Sequence, residues 1–325
     1  MLPSPVMRWS LLFLLLASVA VAKPKDKSAE ALGVMEQFFG GQLSVNAAVN
    51  RIRYLGAENF ASHELVLATR RNGDARTRER YLEMLSALEV RHQDVENTFL
   101  DALKRDSIGE VMVASTGLGR LKSPGAVKPL VGLLGHKMVG VRREAARALG
   151  LIGKPEASAP LMKAASTEQE LELKVLMLQS AGRAGDRKQA PALEALLKDD
   201  SETTRMAAAQ GLCAMGTPSC AKFAGRLLAS ADKNERMQGV MLFEGAPAKA
   251  ASGALAPMLK DTDDKVRSRA ARILAQGGDA SKIDWLIIES SKASGEKRLT
   301  YEDEIEKLRV TDEQRQAVSK KAGLQ

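Results

Sequence analysis

The chain has 325 residues, 45% of them apolar and 27% charged, so it can bury a large core and does not read as disordered. Aromatic residues are only 4%, which argues against a β-sandwich or barrel and leaves few rings for stacking nucleic-acid bases. The formal charge is +8, and three histidines with two cysteines leave little material for metal or nucleophile chemistry.

The first element is an export signal over residues 1–22. Arg8 gives the positive start, an apolar run from Leu11 to Ala22 follows, and Ala20-Val21-Ala22 is a small-residue cleavage site. That run is shorter than the ~20 residues needed to span a membrane. Cleavage after Ala22 removes one cation, leaving 47 basic and 40 acidic residues. Residues 23–43 then read as a polar tether, from the run Lys23-Pro-Lys-Asp-Lys-Ser28. The export segment predicts a periplasmic or extracellular protein.

From residue 44 to 290 the sequence repeats. A weak first pair of helices is predicted over Ser44 to Arg71, and Phe99, Leu100 and Leu103 stand 31 residues before Leu130, Val131 and Leu134. From Arg142 the column continues at Lys174, Arg205, Arg236 and Arg267, in steps of 32, 31, 31 and 31. Eleven residues beyond each stands a helix breaker: Gly153, Gly185, Gly216, Pro247 and Gly278.

Each period holds two helices. Val141, Ala145, Ala148, Leu149 and Ile152 lie on one face of the first, and Gly153 ends it. Pro160 suits the opening turn of the second, which carries a shorter apolar triplet such as Leu193, Leu196 and Leu197. Neither stripe can be buried within one pair, so the pairs must stack. The predicted fold is all-α: a right-handed α-solenoid of about eight antiparallel helix pairs.

The unit Val141-Arg-Arg-Glu-Ala-Ala-Arg-Ala-Leu-Gly-Leu-Ile-Gly153, followed by Pro155-Glu-Ala-Ser-Ala-Pro-Leu161, resembles the HEAT repeat of the short bacterial, phycobilisome-lyase-like type. The resemblance is strong over residues 108–288. It implies a charge ladder between stacked pairs, for which Asp199 with Arg205 and Asp261 with Arg267 keep a six-residue separation. Glu168 with Lys174 is a variant. His136–Arg142 and Ser230–Arg236 depart from the pattern, so the ladder is expected to be weaker there.

Cys213 and Cys220 are seven residues apart, and in an oxidising compartment such a pair favours a disulfide over free thiols or a metal site. Residues 291–325 lose the period and are charged; they are expected either to cap the open end or to stay mobile. Trp285 is expected to pack in the last pair.

Positive charge concentrates between Arg120 and Lys163, with nine basic residues and two acidic ones. Lys122, Lys128, Lys137, Arg142, Arg143 and Arg147 form the candidate basic patch. Such a field attracts an acidic protein surface, an anionic polymer or a lipid headgroup. Catalysis has little support. The di-iron HEAT enzyme deoxyhypusine hydroxylase uses several His-Glu pairs, whereas only His63-Glu64 occurs here, with His92 and His136 unpartnered. Phycobilin lyase activity, implied by one branch of the family, fits poorly with export. The expectation is therefore an exported, non-enzymatic scaffold or adapter without cofactor or small-molecule substrate. It would bind a protein partner along its second-helix face, with an anionic polymer, a membrane surface or lyase activity as rival readings and nucleic acid disfavoured.

Overall fold

The computed structural model describes residues 26–323, so the expected export segment lies outside the described residues. Among the described residues there are nineteen α-helices, four short 3-10 turns and no strand. The chain divides into two compact units at Pro129–Leu130.

The first unit opens with α1 (Asp26–Phe39), where the sequence predicted a tether over 23–43. Ala31, Val34, Met35, Phe38 and Phe39 fall at i, i+3, i+4, i+7 and i+8, and all five are buried. The charged run before them hides this stripe in a reading that stops at Ser28. Phe39 meets Tyr81 edge-on, with ring centres 4.9 Å apart. Arg80 donates to the carbonyls of Phe38 and Phe39 at 2.7 and 2.8 Å, satisfying two acceptors that the helix end leaves open.

Paired helices follow: α2 (Val45–Leu55) with α3 (Glu58–Arg71), α4 (Ala75–Leu88) with α5 (Gln93–Ala102), and α6 (Ile108–Arg120) with α7 (Val127–Leu133). The division between units falls inside α7. Ser44, Asp74 and Ser107 cap the leading helices of these pairs through their side-chain oxygens. Within this unit the leading helices α4 and α6 pack directly on each other.

The second unit continues with α8 (Val139–Ile152) and α9 (Ser158–Thr167), α10 (Leu171–Ala184) and α11 (Ala190–Leu196), α12 (Glu202–Ala214) and α13 (Pro218–Leu228), α14 (Lys233–Met241) and α15 (Ala248–Leu255), then α16 (Asp264–Gln276) and α17 (Ser281–Lys292). Gly153 and Gly185 end α8 and α10 at φ of 68° and 83°, the left-handed conformation that a side chain would oppose. Leading helices α8, α10 and α12 pack in succession. The approach of α10 to α12 is closest at Gly182, where a Cβ would come within 2.2 Å of the Gly211 Cα.

Residues 295–306 cap the last pair. Tyr301 and Ile305 of α18 (Gly295–Glu306) are buried against Ala271, Leu286 and Ile287, with Trp285 packed at the edge of that cluster. Glu304 is also buried there; it accepts from Arg269 at 2.9 Å and from Arg272 at 2.5 Å. The final helix, α19 (Asp312–Lys321), has no buried residue and is tied back by Arg315 to Glu302 at 2.5 Å.

Candidate functional site

The repeated cation is the fourth residue of its helix: Arg78 in α4, Arg142 in α8, Lys174 in α10, Arg205 in α12, Arg236 in α14 and Arg267 in α16. Side chains in the first turn of a helix lean back toward its N-terminus. Each arginine therefore reaches the carbonyls of the loop before it. Arg142 donates through Nη1 to His136 and Lys137, Arg205 to Asp199 and Asp200, and Arg236 to Ser230 and Ala231.

At Arg142 and Arg236 in the second unit, the other edge of the fork takes a carboxylate from just past the trailing helix of the same pair. Arg142 donates from Nε and Nη2 to Glu168 at 2.8 and 2.9 Å. Arg236 does the same to Asp261 at 2.7 and 2.9 Å, and in the first unit Arg78 grips Glu110 at 2.8 Å twice. Such bidentate charge-assisted contacts are the strong, directional kind.

These contacts correct the pairing expected from the sequence. Arg205 touches the backbone oxygen of Asp199, not its carboxylate, and Arg267 likewise bonds the Asp261 carbonyl. Arg267 sends its remaining donors to Asp264 and to the Tyr301 hydroxyl of the cap. The two pairs expected to be weakest, at Arg142 and Arg236, make the complete rungs. The columns were legible; the register of pairing was not, because it depends on which loop each fork faces.

The basic patch is smaller than its sequence suggests. Arg142 is committed to Glu168, Arg143 lies 3.8 Å from Glu172, and Arg147 lies 4.0 Å from Glu144. The neutralising Glu168 and Glu172, with Glu170 between them, begin just past the basic stretch that ends at Lys163. Lys122, Lys128, Lys137 and Lys163 are exposed and make no ion pair among the described residues. Lys122 and Lys128 belong to the first unit, while Lys137 and Lys163 belong to the second.

Lys137 and Lys163 border a cleft of about 580 Å³ between the end of α7 and α9. Val131, Leu134, Pro160 and Ala164 give it apolar walls, and the Arg142–Glu168 rung closes one end. Glu168 also accepts from the backbone N–H groups of Gln169 and Glu170 at 3.0 and 3.1 Å. The Arg142 hydrogen bonds hold the Glu168 carboxyl below its ordinary value against the opposing effect of burial. This end of the cleft is therefore rigid and internally neutral, while the two lysines remain available.

A second cleft, of about 660 Å³, lies between α13 and α15 and is lined mainly by Leu228, Phe243, Ala254 and Met258. Cys220 borders it and is bonded to Cys213, joining the end of α12 to the start of α13. The histidines do not converge. His63 is exposed on α3, while the Nδ1 atoms of His92 and His136 each accept a backbone N–H, from Asp94 and Met138.

A family model described as HEAT repeats matches residues 111–174 and 159–242. Residues 111–242 are HEAT repeats. The fold of the chain is similar to the complex of CpcE and CpcF of phycocyanin lyase from Nostoc sp. PCC7120, with 18% identity and a TM-score of 0.51 over 75% of this chain and 94% of that one. An archaeal HEAT-like repeat protein from Thermococcus onnurineus NA1 aligns at 14% identity over 76% of this chain and 99% of its own, with a TM-score of 0.37. Human deoxyhypusine hydroxylase in complex with glycerol aligns at 20% identity over 76% and 98%, with a TM-score of 0.34. No curated protein matches the sequence. A HEAT array of this kind is a repeat scaffold or adapter, since stacked pairs build an extended binding surface.

The sequence reading missed two members of the ladder, Arg78 and Glu110. Arg78 stands two periods before Arg142, a spacing available in the sequence alone. Glu110 had no such signal, because it lies in a leading helix rather than just past a trailing one, where Glu168 and Asp261 stand.

Proposed function

We propose that this HEAT-repeat protein is an exported, non-enzymatic adapter that holds a protein partner in the cleft between α7 and α9. One observation carries the reading: apolar walls are flanked by Lys137 and Lys163, two exposed cations without a counter-ion among the described residues. A partner presenting an apolar anchor beside acidic side chains fits that arrangement, with the anchor supplying affinity and the lysines guiding encounter. Pairing of Arg142 with Glu168, and the glutamates near Arg143 and Arg147, reduce the number of cations open to a ligand. That favours a protein over an anionic polymer, which would need many unpaired cations.

The disulfide supports export, since such bonds persist in oxidising compartments. The mass of the protein recovered from an envelope fraction tests this: a chain beginning at Lys23 is expected, and one retaining Met1 would reject cleavage.

Binding is tested with the chain from Lys23 as bait in an envelope extract, beside a Lys137→Glu, Lys163→Glu variant and a Lys122→Glu, Lys128→Glu control. The reading requires that a partner be lost only by the first variant, with circular dichroism unchanged. Equal capture by all three baits would remove the cleft from consideration.

A further inference from the structure

The acidic ladder column of the second unit runs Glu168, Asp199, Ser230, Asp261 at intervals of 31, opposite Arg142, Lys174, Arg205 and Arg236. Two of the four rungs are complete. The other two are broken in opposite ways: by the register of the column Lys174 has an acid, Asp199, but not the fork to grip it, and Arg205 has the fork but Ser230 at the acidic position. Arg205 is nevertheless set like its neighbours, with Nη1 anchored to the Asp199 and Asp200 carbonyls at 2.7 and 2.9 Å. Its Nε and Nη2 have no acceptor among the described residues.

Ser230 explains what is missing. In the complete rungs the carboxylate has two tasks: it accepts a backbone N–H two residues on, as Asp261 does from Asp263 at 2.9 Å, and it receives the arginine fork. Ser230 performs the first, accepting from the Asp232 N–H at 3.1 Å, and has no second oxygen for the other. Asp232, the nearest acid in sequence, is occupied in capping α14 through the Asn234 N–H at 2.7 Å. The loop is thus closed while a guanidinium edge stays open.

We infer that Arg205 is a receptor for an external carboxylate: the side chain of an aspartate or glutamate that a protein partner inserts beside Ser230, completing the rung the chain leaves open. The chain itself identifies the ligand class, because three other forks in this column, those of Arg78, Arg142 and Arg236, hold carboxylates bidentately. The fork is held before the ligand arrives, so little ordering remains to oppose binding. Anchoring by one planar, bidentate group favours a carboxylate at a defined position over diffuse attraction to negative charge. This site is separate from the α7–α9 cleft, and neither depends on the other.

The test follows the Arg205 Nε–Hε resonance by NMR, assigned by its loss in Arg205→Lys. The probes are the blocked tripeptide Ala-Asp-Ala, its Ala-Asn-Ala analogue, acetate and inorganic phosphate, all at constant ionic strength. The aspartate peptide is expected to shift the resonance saturably, and more tightly than acetate; the asparagine peptide leaves it in place. Ser230→Asp supplies the absent carboxylate from within. It should move the resonance without any probe and weaken the response to the aspartate peptide by about tenfold or more. Absence of a saturable shift would overturn the inference, as would an unchanged response in folded Ser230→Asp. Acetate binding as tightly as the peptide would overturn the assignment to a protein side chain, and phosphate binding more tightly than either would overturn the carboxylate.

Discussion

Arg236 grips the carboxylate of Asp261 with both Nε and Nη2 while its Nη1 holds the two carbonyls of the preceding loop. One side chain thus ties the loop before its own helix to the loop that closes its pair. The Arg142–Glu168 rung repeats the device three periods earlier.

Hydrogen bonds from Arg236 and Arg142 hold the Asp261 and Glu168 carboxyls below their ordinary values of 3.8 and 4.5. A carboxyl whose value is depressed by folding stabilises the fold above its unfolded value, and that contribution disappears as pH falls through the folded one. Glu168→Gln with Asp261→Asn should therefore lower Tm at neutral pH by about 2–4 °C and flatten the fall in Tm below pH 4.5. Thermal melts across acid pH check this; curves that stay parallel to the parent's would show that the rungs add nothing.

Gly182 leaves no room for a side chain against Gly211. Because backbone atoms block the added methyl, Gly182→Ala must push α10 away from α12 and should cost about 2 kcal/mol. Gly253→Ala on α15 meets nothing within 4 Å and should be neutral or slightly stabilising. Urea melts of the two variants separate packing from helix propensity, and similar losses for both would contradict the close crossing.

The Cys213–Cys220 bond links α12 to α13 in the same pair whose arginine, Arg205, holds no carboxylate among the described residues. A covalent tie restricts the unfolded chain, so its removal should lower stability by ~2 kcal/mol. Cys213→Ala with Cys220→Ala, melted with and without reductant, provides the comparison. The double variant should melt with the reduced parent and ignore reductant.

Glu304 fastens the cap by accepting from Arg269 and Arg272, and Arg272 also reaches Glu244 at 2.7 and 3.0 Å. Burial raises the Glu244 carboxyl, but the Arg272 hydrogen bond and charge prevail and hold it below its ordinary value. Glu304→Ala leaves buried Arg272 with one carboxylate in place of two and should cost about 3 kcal/mol. Hydrogen exchange should rise first in α17 and α18. Uniform acceleration across the second unit would mean that the cap is not the element released.

The sequence by itself determined the helical period, the glycine stops and the pairing of leading with trailing helices, because each follows from local spacing of apolar and helix-breaking residues. It also contained the stripe from Ala31 to Phe39, obscured by the charges before it. Tertiary structure alone decided which carboxylate each arginine holds, that Arg142 is spent internally while Lys137 and Lys163 are not, and that Arg205 is left open. Those outcomes depend on where side chains from separate helices meet, and a guanidinium selects its partner by reach and angle rather than by distance along the chain.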